Sequence, residues 1–502
     1  MGKVNNHTPV VVGRKSDKLI VPEKQPNKAG LSVAEVVEES GLTKRNIQQD
    51  VGDRTQSRSD ASSNLLGIRQ AAAKDSRLQF TALFHHLTLS LLRESFFQLK
   101  RNSAAGADGV TWQSYQQDLE IRLQSLHERV HKGSYRPRPA RRVFIPKADG
   151  SERPLSILCL EDKIIQQAVV KVLEGIYEED FLGFSYGFRP MRSQHDALDA
   201  LTVGIKRSPV NWVLDLDIRK FFDQVDHDWL VRFLEHRIKD KRIIRLVKQW
   251  VKVGHYDDDG RHVRSVAGVP QGSVISPLLS NIYLHYVFDL WVNQWRKRNA
   301  QGKVIVVRYA DDSVLGFQSE WDAKSFLDEL GNRLKRFGLS LHEDKTRLIC
   351  FGRFAQRDLL RAGRGKPDTF EFLGFTHFCS VTRSSKRFTI IRETSKKRMR
   401  TTLQGIKAYL LKHRHDAVPE QLKWLKRVVQ GHMNYFSVPG NSRRINAFRT
   451  EVQKIWYKAL KRRSQRSRLN WKKFSAFINA MLPKVKVLHP WPEQRFGVKY
   501  SR

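Results

Sequence analysis

Hydrophobic residues along the chain follow two spacings, and each spacing predicts one kind of element. A spacing of three to four residues predicts helices with one buried face. Such helices are predicted from Leu83 to Leu99, through Tyr115 to Leu126, from Ile164 to Ile176, over 228–251, from Pro277 to about Trp295 and from Trp321 to Phe337. A period of two predicts a strand over Trp212–Ile218, with Leu214, Leu216 and Ile218 on one face and Val213, Asp215 and Asp217 on the other.

Two apolar hairpins and the order of the elements indicate the fold class. One hairpin is predicted over Arg142–Ile157, with its turn at Ala148–Gly150, and another over Val304–Phe317. The order strand, helix, helix, hairpin, helix and a short strand near Leu339–Leu341 fits an elaborated βαββαβ unit. The sequence therefore predicts an α+β protein.

Composition shifts divide the 502 residues into four predicted regions. Residues 1–60 are polar and interrupted by Gly, Pro, Asn and Ser, which predicts a disordered leader. The regions 61–210, 211–380 and 381–502 follow, and the last holds 31 Lys or Arg against 5 Asp or Glu. Because aromatic residues are interleaved with these charges, we expect 381–502 to be a basic helical domain that binds nucleic acid.

The charge of the whole chain narrows the class of partner. Lys and Arg number 90 against 51 Asp and Glu, a formal net charge of +39, and a field this strong requires a polyanion such as nucleic acid. Only three cysteines occur and none forms a CxxC pair, which excludes a disulfide framework and favours the reducing cytoplasm. No apolar run approaches the ~18 residues of a membrane span, so no membrane partner is expected.

Candidate chemistry begins with two adjacent carboxylates, Asp311 and Asp312, in the turn of the second hairpin. Taken alone, such a pair more often reflects the preference of Asp for turns. Asp217 at the end of a neighbouring predicted strand changes this balance, because a two-metal site needs carboxylates from separate strands. Mg²⁺ is the ion that suits such oxygen ligands.

Several motifs in order resemble one known family. Asp217 lies in LDIRKFFD, Gly268–Leu284 reads GVPQGSVISPLLSNIYL, and 309–312 reads YADD. Together with AAGADGV, IPKADGSERPL and YGFRP, these blocks resemble the reverse transcriptases encoded by bacterial group II introns. The resemblance runs from about Phe80 to the C-terminus, and GHMNYFSVPGN is similar to the thumb and maturase region of that family. We expect no Cys/His-rich, HNH-type endonuclease domain.

The resemblance implies a right-hand polymerase with fingers and a βαββαβ palm, followed by an all-helical thumb and maturase domain. It implies two Mg²⁺ ions held by Asp217, Asp311 and the Ile218 carbonyl, with Asp312 in support. Lys147 and Arg153 correspond to cations that close on the incoming triphosphate, although a lone surface cation is usually solvated.

Further residues have implied roles in handling the nucleotide and the primer. Phe222 corresponds to the ring under the sugar that favours deoxynucleotides, or it is a core residue beside Phe221. Gln271 would pack near the nucleotide, and Lys345 resembles the lysine proposed to protonate departing pyrophosphate. The turn formed by Phe372, Leu373, Gly374 and Phe375 matches the primer grip, although an apolar turn there would also serve the core.

One cationic cluster in the basic domain is expected to bind RNA. Its members share a short stretch around two aromatic residues; they are Trp456, Tyr457, Arg462, Arg463, Arg466, Arg468, Lys472 and Lys473. Like charges so close on a helix repel one another, and a polyanion offsets that cost, although a solvated face is the plainer interpretation.

The function predicted is RNA-directed DNA synthesis together with binding of group II intron RNA to assist splicing and mobility. The expected partners are intron RNA, an RNA template with a DNA or RNA primer, dNTPs and target DNA. Three alternatives stay open: a splicing factor without polymerase activity, a polymerase recruited to host defence or repair, and a general basic scaffold.

Overall fold

The computed structural model describes residues 65–146, 152–257, 259–382, 385–464 and 468–495. The predicted leader 1–60 lies outside these residues, as do Lys147, Arg466 and the turn at Ala148–Gly150. Within the described ranges, none of the helices is both long and apolar enough to cross a membrane.

Helices and strands alternate through the first four fifths of the chain, and helices dominate the rest. The strands are β1 Ala140–Pro146, β2 Glu152–Ile157, β3 Trp212–Leu216, β4 His255–Tyr256, β5 His262–Val263, β6 Val304–Tyr309, β7 Asp312–Phe317, β8 Arg347–Cys350, β9 Phe370–Phe372, β10 Phe375–Val381 and β11 Phe388–Thr394. The longer helices are Leu89–Gln98, Leu119–His131, Leu160–Asp180, Gln194–Arg207, His227–Glu235, Lys241–Lys252, Ser276–Leu284, Leu290–Arg298, Glu320–Arg336, Lys396–Lys412, Val418–Phe436, Ser442–Lys461 and Trp471–Met481.

A four-stranded antiparallel sheet in the order β6-β7-β3-β8 forms the centre. Of the four strands in this sheet, β3 comes first in the sequence and lies between β7 and β8, which come third and fourth. This is the order of a split βαβ unit. The predicted α+β class and βαββαβ topology are therefore confirmed. The last strand was placed wrongly, because Leu341 makes only an isolated bridge with Ile218, and β8 pairs with β3 instead.

Alternation along β3 places two hydrophobic cores on opposite faces of this sheet. Leu214, Leu216 and Ile218 pack in one core with most helices of the N-terminal half. Val213 packs in the other core, with helix Gln194–Arg207 and the C-terminal helices. The predicted sides of β3 are confirmed, and burial on both faces holds the ends of its strands at fixed positions, because each large apolar side chain contributes about 1.5–3 kcal/mol.

Two smaller sheets flank the central one. The predicted first hairpin is confirmed as β1 and β2, which pair antiparallel and extend to β4 and β5 in the order β2-β1-β4-β5. The other small sheet has the order β11-β10-β9 and leads into helix Lys396–Lys412. Because β11 lies after residue 381, the expectation that the C-terminal region is all-helical was wrong.

Three helix predictions also need correction. The helix predicted over 228–251 is two helices, because Asp240 caps the second by accepting the Arg242 backbone N–H at 3.0 Å. Helical structure begins earlier than Leu83, at 65–74. Ile121, assigned to a buried face, is 76% exposed.

Candidate active site

The two adjacent carboxylates lie at the tip of the β6–β7 hairpin. Tyr309 pairs with Asp312, so Ala310 and Asp311 alone make the turn, and Ala310 adopts a positive φ of 56°. Such strain in a non-glycine residue persists only where the surroundings enforce it. Gly187 is part of those surroundings, since a Cβ added there would lie 2.2 Å from the Ala310 nitrogen. The YGFRP segment therefore packs directly against this turn, and only a glycine at position 187 leaves room for that contact.

Asp217 lies beside this turn, one residue beyond β3. Burial raises the pKa of Asp311, and the negative charge of Asp217 raises it further. Burial, followed by the negative charges of Asp311, Asp217 and Asp215, raises the pKa of Asp312 to about 7, even though part of this side chain reaches solvent. Three mutually repelling carboxylates at one end of a sheet would be stabilised by a nearby cation.

One cation near these carboxylates comes from the chain itself. The Lys345 ammonium lies 3.1 Å from Oδ2 of Asp217, and both side chains are partly open to solvent. Asp217 is held from its backbone as well, because its carbonyl accepts the His342 N–H at 2.8 Å. The structure thus brings together Asp217, Asp311, Asp312 and Lys345 as the sequence predicted.

A buried arginine beneath the turn was not identified from the sequence. All five N–H donors of Arg308 are used, with Nε and one Nη bound to the two carboxylate oxygens of Asp289 at 2.7 and 2.5 Å. The other three reach Asn281 Oδ1 at 3.1 Å, the Ala310 carbonyl at 2.8 Å and Ser185 Oγ at 2.7 Å. Arg308 is 1% exposed and Asp289 is fully buried. The carbonyl of the strained turn residue is therefore fixed by a saturated guanidinium.

The partner carboxylate is supplied by an irregular helical turn. Residues His285–Asp289 form a π-helical turn between helices Ser276–Leu284 and Leu290–Arg298, and such turns are frequent at functional sites. Asn281 on the preceding helix also donates to the Gly187 carbonyl at 2.7 Å. The YGFRP segment is therefore held by the same hydrogen-bond network as Arg308. A charged residue in the otherwise apolar strand VIVVRY was the sequence signal for this arrangement, because buried Arg is rare unless paired.

Successive side-chain hydrogen bonds connect the β1–β2 hairpin to residues near this site. Arg153 Nε donates to Gln271 Oε1 at 3.1 Å, and Gln271 Nε2 donates to Asp223 Oδ1 at 3.3 Å. Gly272, with a φ of 99°, lets the loop approach β2, since a Cβ there would lie 2.8 Å from the Ser156 carbonyl. The Arg153 guanidinium lowers the pKa of Asp311 against the effect of burial, so it acts on the carboxylate site.

Comparison with known proteins identifies the domain that carries this geometry. Residues 145–377 match the family model described as "Reverse transcriptase (RNA-dependent DNA polymerase)". This part of the chain, a little under half of its length, is similar to a reverse transcriptase domain. The chain is 38% identical to Protein YkfC of Escherichia coli (strain K12) over 240 residues, covering 42% of this chain and 62% of that protein.

Two further relatives are named for introns. The identity is 34% to Group II intron-encoded protein LtrA of Lactococcus lactis subsp. cremoris, over 44% of this chain and 37% of the relative. It is 28% to Putative COX1/OXI3 intron 1 protein of Saccharomyces cerevisiae, over 52% and 37%. The match thus spans between one third and two thirds of each of these relatives, and the resemblance to intron-encoded reverse transcriptases is confirmed.

Other predicted contacts of the reverse transcriptase domain lie near the same elements. Phe222 is half-buried, with its ring 5.6 Å from that of Phe221, and its carbonyl accepts the Val269 N–H at 2.8 Å, just before Gln271. Ile218 is 7% exposed at the end of β3. Lys147 lies outside the described residues.

The predicted primer grip is a strained turn between β9 and β10. Leu373 and Gly374 have positive φ values of 47° and 77°, and the Leu373 carbonyl accepts the hydroxyl of Tyr435 at 2.8 Å. Phe372 and Phe375 are buried in the second core. The phenylalanine side chains of this turn therefore serve the core, which is the alternative that the sequence left open.

The predicted RNA-binding cluster at the C-terminal end is only partly a surface. Trp456 is fully buried and its indole donates to Gln421 at 2.8 Å, so assigning it to RNA was wrong; tertiary packing uses it as core. Tyr457 is half-buried. The exposed members are cations, namely Arg462, Arg468, Lys472 and Lys473, whereas Arg463 is half-buried and Arg466 lies outside the described residues.

The oxygen donors of the carboxylate site are of the chemical type that binds a hard divalent cation. Oxygen ligands from Asp217 and Asp311 are of the type that Mg²⁺ prefers. Within the described ranges, no three His, Cys, Asp or Glu residues converge as a complete ligand set. Mg²⁺ commonly takes one or two carboxylates and completes its shell with water and substrate phosphates, so this donor set fits an ion that arrives with substrate.

Proposed function

We propose that this protein copies RNA into DNA and that it binds group II intron RNA to assist splicing and mobility. The observation that carries the proposal is the pair Asp311 and Asp312 at a turn fixed by Arg308, with Asp217 beside it. A merely structural turn would not need three carboxylates so close together, and burial and neighbouring negative charge raise the pKa of both Asp311 and Asp312.

In this proposal the chain has a right-hand architecture. The sheet β6-β7-β3-β8 is the palm, the β1–β2 hairpin belongs to the fingers, and the helices after β11 include the thumb. The regions 61–210, 211–380 and 381–502 are the corresponding extension with fingers, palm, and thumb with maturase region.

Each polar group near the turn then has a task. Asp217 and Asp311 would hold two Mg²⁺ ions with the Ile218 carbonyl, while Asp312 supports them. When bound there, the ions would supply Lewis-acid activation of the primer 3′-hydroxyl and positive charge beside the leaving pyrophosphate.

The remaining groups handle the nucleotide. Arg153, with Lys147, binds the triphosphate of a dNTP, and Gln271 orients the base and sugar. The Lys345 Nζ donates a proton to departing pyrophosphate. Phe222 excludes a 2′-hydroxyl by occupying the space beneath the sugar.

The test is primer extension on an RNA template with Mg²⁺ and dNTPs. Asp311→Asn should lower the rate by at least about a hundredfold, because one charged ligand stabilises the transition state. RNA affinity should not change, and thermal stability without Mg²⁺ should be kept or raised, since burial and Asp217 disfavour the charge that is removed. Asp328→Asn, an exposed carboxylate on helix Glu320–Arg336, is the matched control. Undiminished extension by Asp311→Asn would refute the assignment.

Intron RNA binding has its own support. Exposed cations crowd the C-terminal helices, and the relative named for a group II intron is 34% identical over 44% of this chain. Splicing of a group II intron with Asp311→Asn protein separates the two activities. A pure splicing factor would assist splicing without any extension by the wild type, whereas the two-function proposal expects both from the wild type and splicing alone from the variant.

A further inference from the structure

A second cationic surface lies far in sequence from the C-terminal cluster, on helix Lys241–Lys252. One face of this helix is buried through Ile243, Ile244, Val247 and Trp250, among others. The opposite face carries Lys241, Arg245, Lys248 and Lys252, and the helix contains no acidic residue. Like charges at this spacing destabilise a helix, so the arrangement has a cost that a bound polyanion would offset.

These cations line a groove rather than a flat face. Together with Lys239, they border a cavity of about 650 Å³ whose one acidic neighbour is Glu235. We call this cavity the lysine groove. A second cavity of about 570 Å³ shares Gln249 and Lys252 with it and continues to Arg136 and Arg264. Asp226 and Asp228 also line the second cavity, so seven Lys or Arg residues and three acidic residues border the two adjoining cavities.

The lysines of the groove have no acidic partner. Three lysines elsewhere, Lys132, Lys324 and Lys454, each pair with a Glu three or four residues away, at 3.3, 2.9 and 2.8 Å. Within the part of the chain that the structure describes, no carboxylate lies within ion-pair distance of the groove lysines; they are Lys239, Lys241, Lys248 and Lys252. The groove lysines are therefore available for contact with an anionic ligand.

The second cavity is linked by a hydrogen bond to the segment that precedes Gln271. The cavity is lined by His227, whose Nε2 lies 2.7 Å from the Gly268 carbonyl. Gly268 begins the GVPQG segment, and Gln271 three residues later contacts Arg153. This contact connects the cavity to the segment that the proposed function places at the incoming nucleotide.

We infer that the lysine groove binds the phosphate backbone of the uncopied, single-stranded RNA template ahead of the active site. The inference rests on the proposed polymerase function. The lining residues include no aromatic ring along the helix, so bases have nothing to stack on, and recognition is through phosphates and independent of sequence. The helix from Lys241 to Lys252 spans about 16 Å, which accommodates several consecutive phosphates.

The test uses the full-length protein with Lys241, Lys248 and Lys252 all changed to Gln. The control variant changes Lys132, Lys324 and Lys454 to Gln, so both variants lose the same charge. Equilibrium binding is measured without nucleotides on two primer–template duplexes, one ending at the templating base and one with a long single-stranded template overhang. Thermal unfolding of both variants checks that each is folded.

The groove variant should bind the long overhang roughly tenfold more weakly than the wild type, and its salt slope should be shallower by about 2, since each single-strand phosphate contact contributes ~0.7. Binding of the duplex without overhang should match the control variant. Equal losses on both duplexes, or a salt slope equal to that of the control, would overturn the inference. Weaker binding of intron RNA alone would also overturn it and assign the groove to the intron.

Binding without nucleotides keeps this test separate from the polymerase proposal. If the wild type extends no primer but the overhang-dependent loss is seen, the polymerase proposal fails and the groove stands as a single-strand RNA site. If extension succeeds and the overhang effect is missing, the polymerase proposal stands and the groove inference fails.

Discussion

Arg308 gives the sharpest test of how the catalytic turn is held in place. Changing Arg308 to Met leaves the fully buried Asp289 carboxylate without its partner and the Ala310 carbonyl without its donor at 2.8 Å. Removing one member of a buried ion pair typically costs about 3–5 kcal/mol. We therefore expect the unfolding free energy of Arg308→Met to fall by roughly that amount, with a large loss of DNA synthesis.

A double replacement separates stability from positioning. Replacing both members of a buried pair by apolar residues of similar size is often neutral, within about 1–2 kcal/mol. Arg308→Met combined with Asp289→Leu should thus recover most of the stability. It cannot restore the bond to the Ala310 carbonyl, so the turn that carries Asp311 stays loose. Because a displacement of ~1 Å can cost about a hundredfold in rate, synthesis should stay low in the double variant.

The measurements are urea unfolding and single-turnover primer extension at saturating and limiting dNTP. The loss should fall on the maximal rate more than on the dNTP concentration for half-maximal rate, since the fingers side is unchanged. Arg237→Met with Asp180→Leu is the matched control, because the side chains of this ion pair are 4% and 10% exposed and, within the described residues, its hydrogen bonds do not involve the turn. Joint recovery of stability and rate in the Arg308 and Asp289 double variant would refute the positioning role.

Three further expectations can each be tested with one variant protein. Phe222→Ala should reduce the ratio of dNTP to rNTP incorporation without weakening RNA binding; an unchanged ratio would make the ring merely a core residue. Changing Arg462, Arg463 and Arg466 to Gln should slow assisted splicing and make the salt slope for intron RNA shallower by about 2, while short-template extension survives; equal losses in both would contradict a separate RNA surface. Burial, followed by the charge of Arg392, lowers the pKa of His377 to about 3, so the stability due to its neutral form is complete above the ordinary pKa of 6.5 and declines by about 1.4 kcal/mol per pH unit below it. Unfolding of His377→Phe between pH 7 and pH 5 should show a correspondingly smaller decline, and an equal decline would refute this assignment.

Local sequence patterns account for most of the correct predictions about the central sheet. The alternation in β3 and the hairpin around Asp311 depend on side-chain period and turn chemistry, which neighbours in sequence decide. Their faces and their order along the chain were therefore predictable. The unpredicted strand β8 is short, and it is recognisable only because β3 offers it a free edge at the right register.

The sequence could not show which side chains far apart in the chain contact one another in the fold. Arg308 is a residue of an apolar strand, and its partner Asp289 comes from a π-helical turn whose register no periodicity predicts. Trp456 shows the same limitation for a residue that was predicted to contact RNA. Its neighbours in sequence are cations, but the helix turns its indole inward onto Gln421. Whether an aromatic residue among charges faces RNA or the core depends on tertiary packing.

The charge balance under the turn fits the proposed binding of a divalent cation. Arg308 is paired in full with Asp289, so the two together add no net charge, and the guanidinium fixes the Ala310 carbonyl without cancelling the carboxylates beside it. Arg308 lowers the pKa of Asp311 less than burial raises it, and Asp312 has a pKa of about 7 despite Lys345. A buried arginine without its own acidic partner would compete with a metal ion for these carboxylates. Pairing Arg308 with Asp289 therefore allows the turn to be rigid while, in the proposed mechanism, its carboxylates stay available to Mg²⁺.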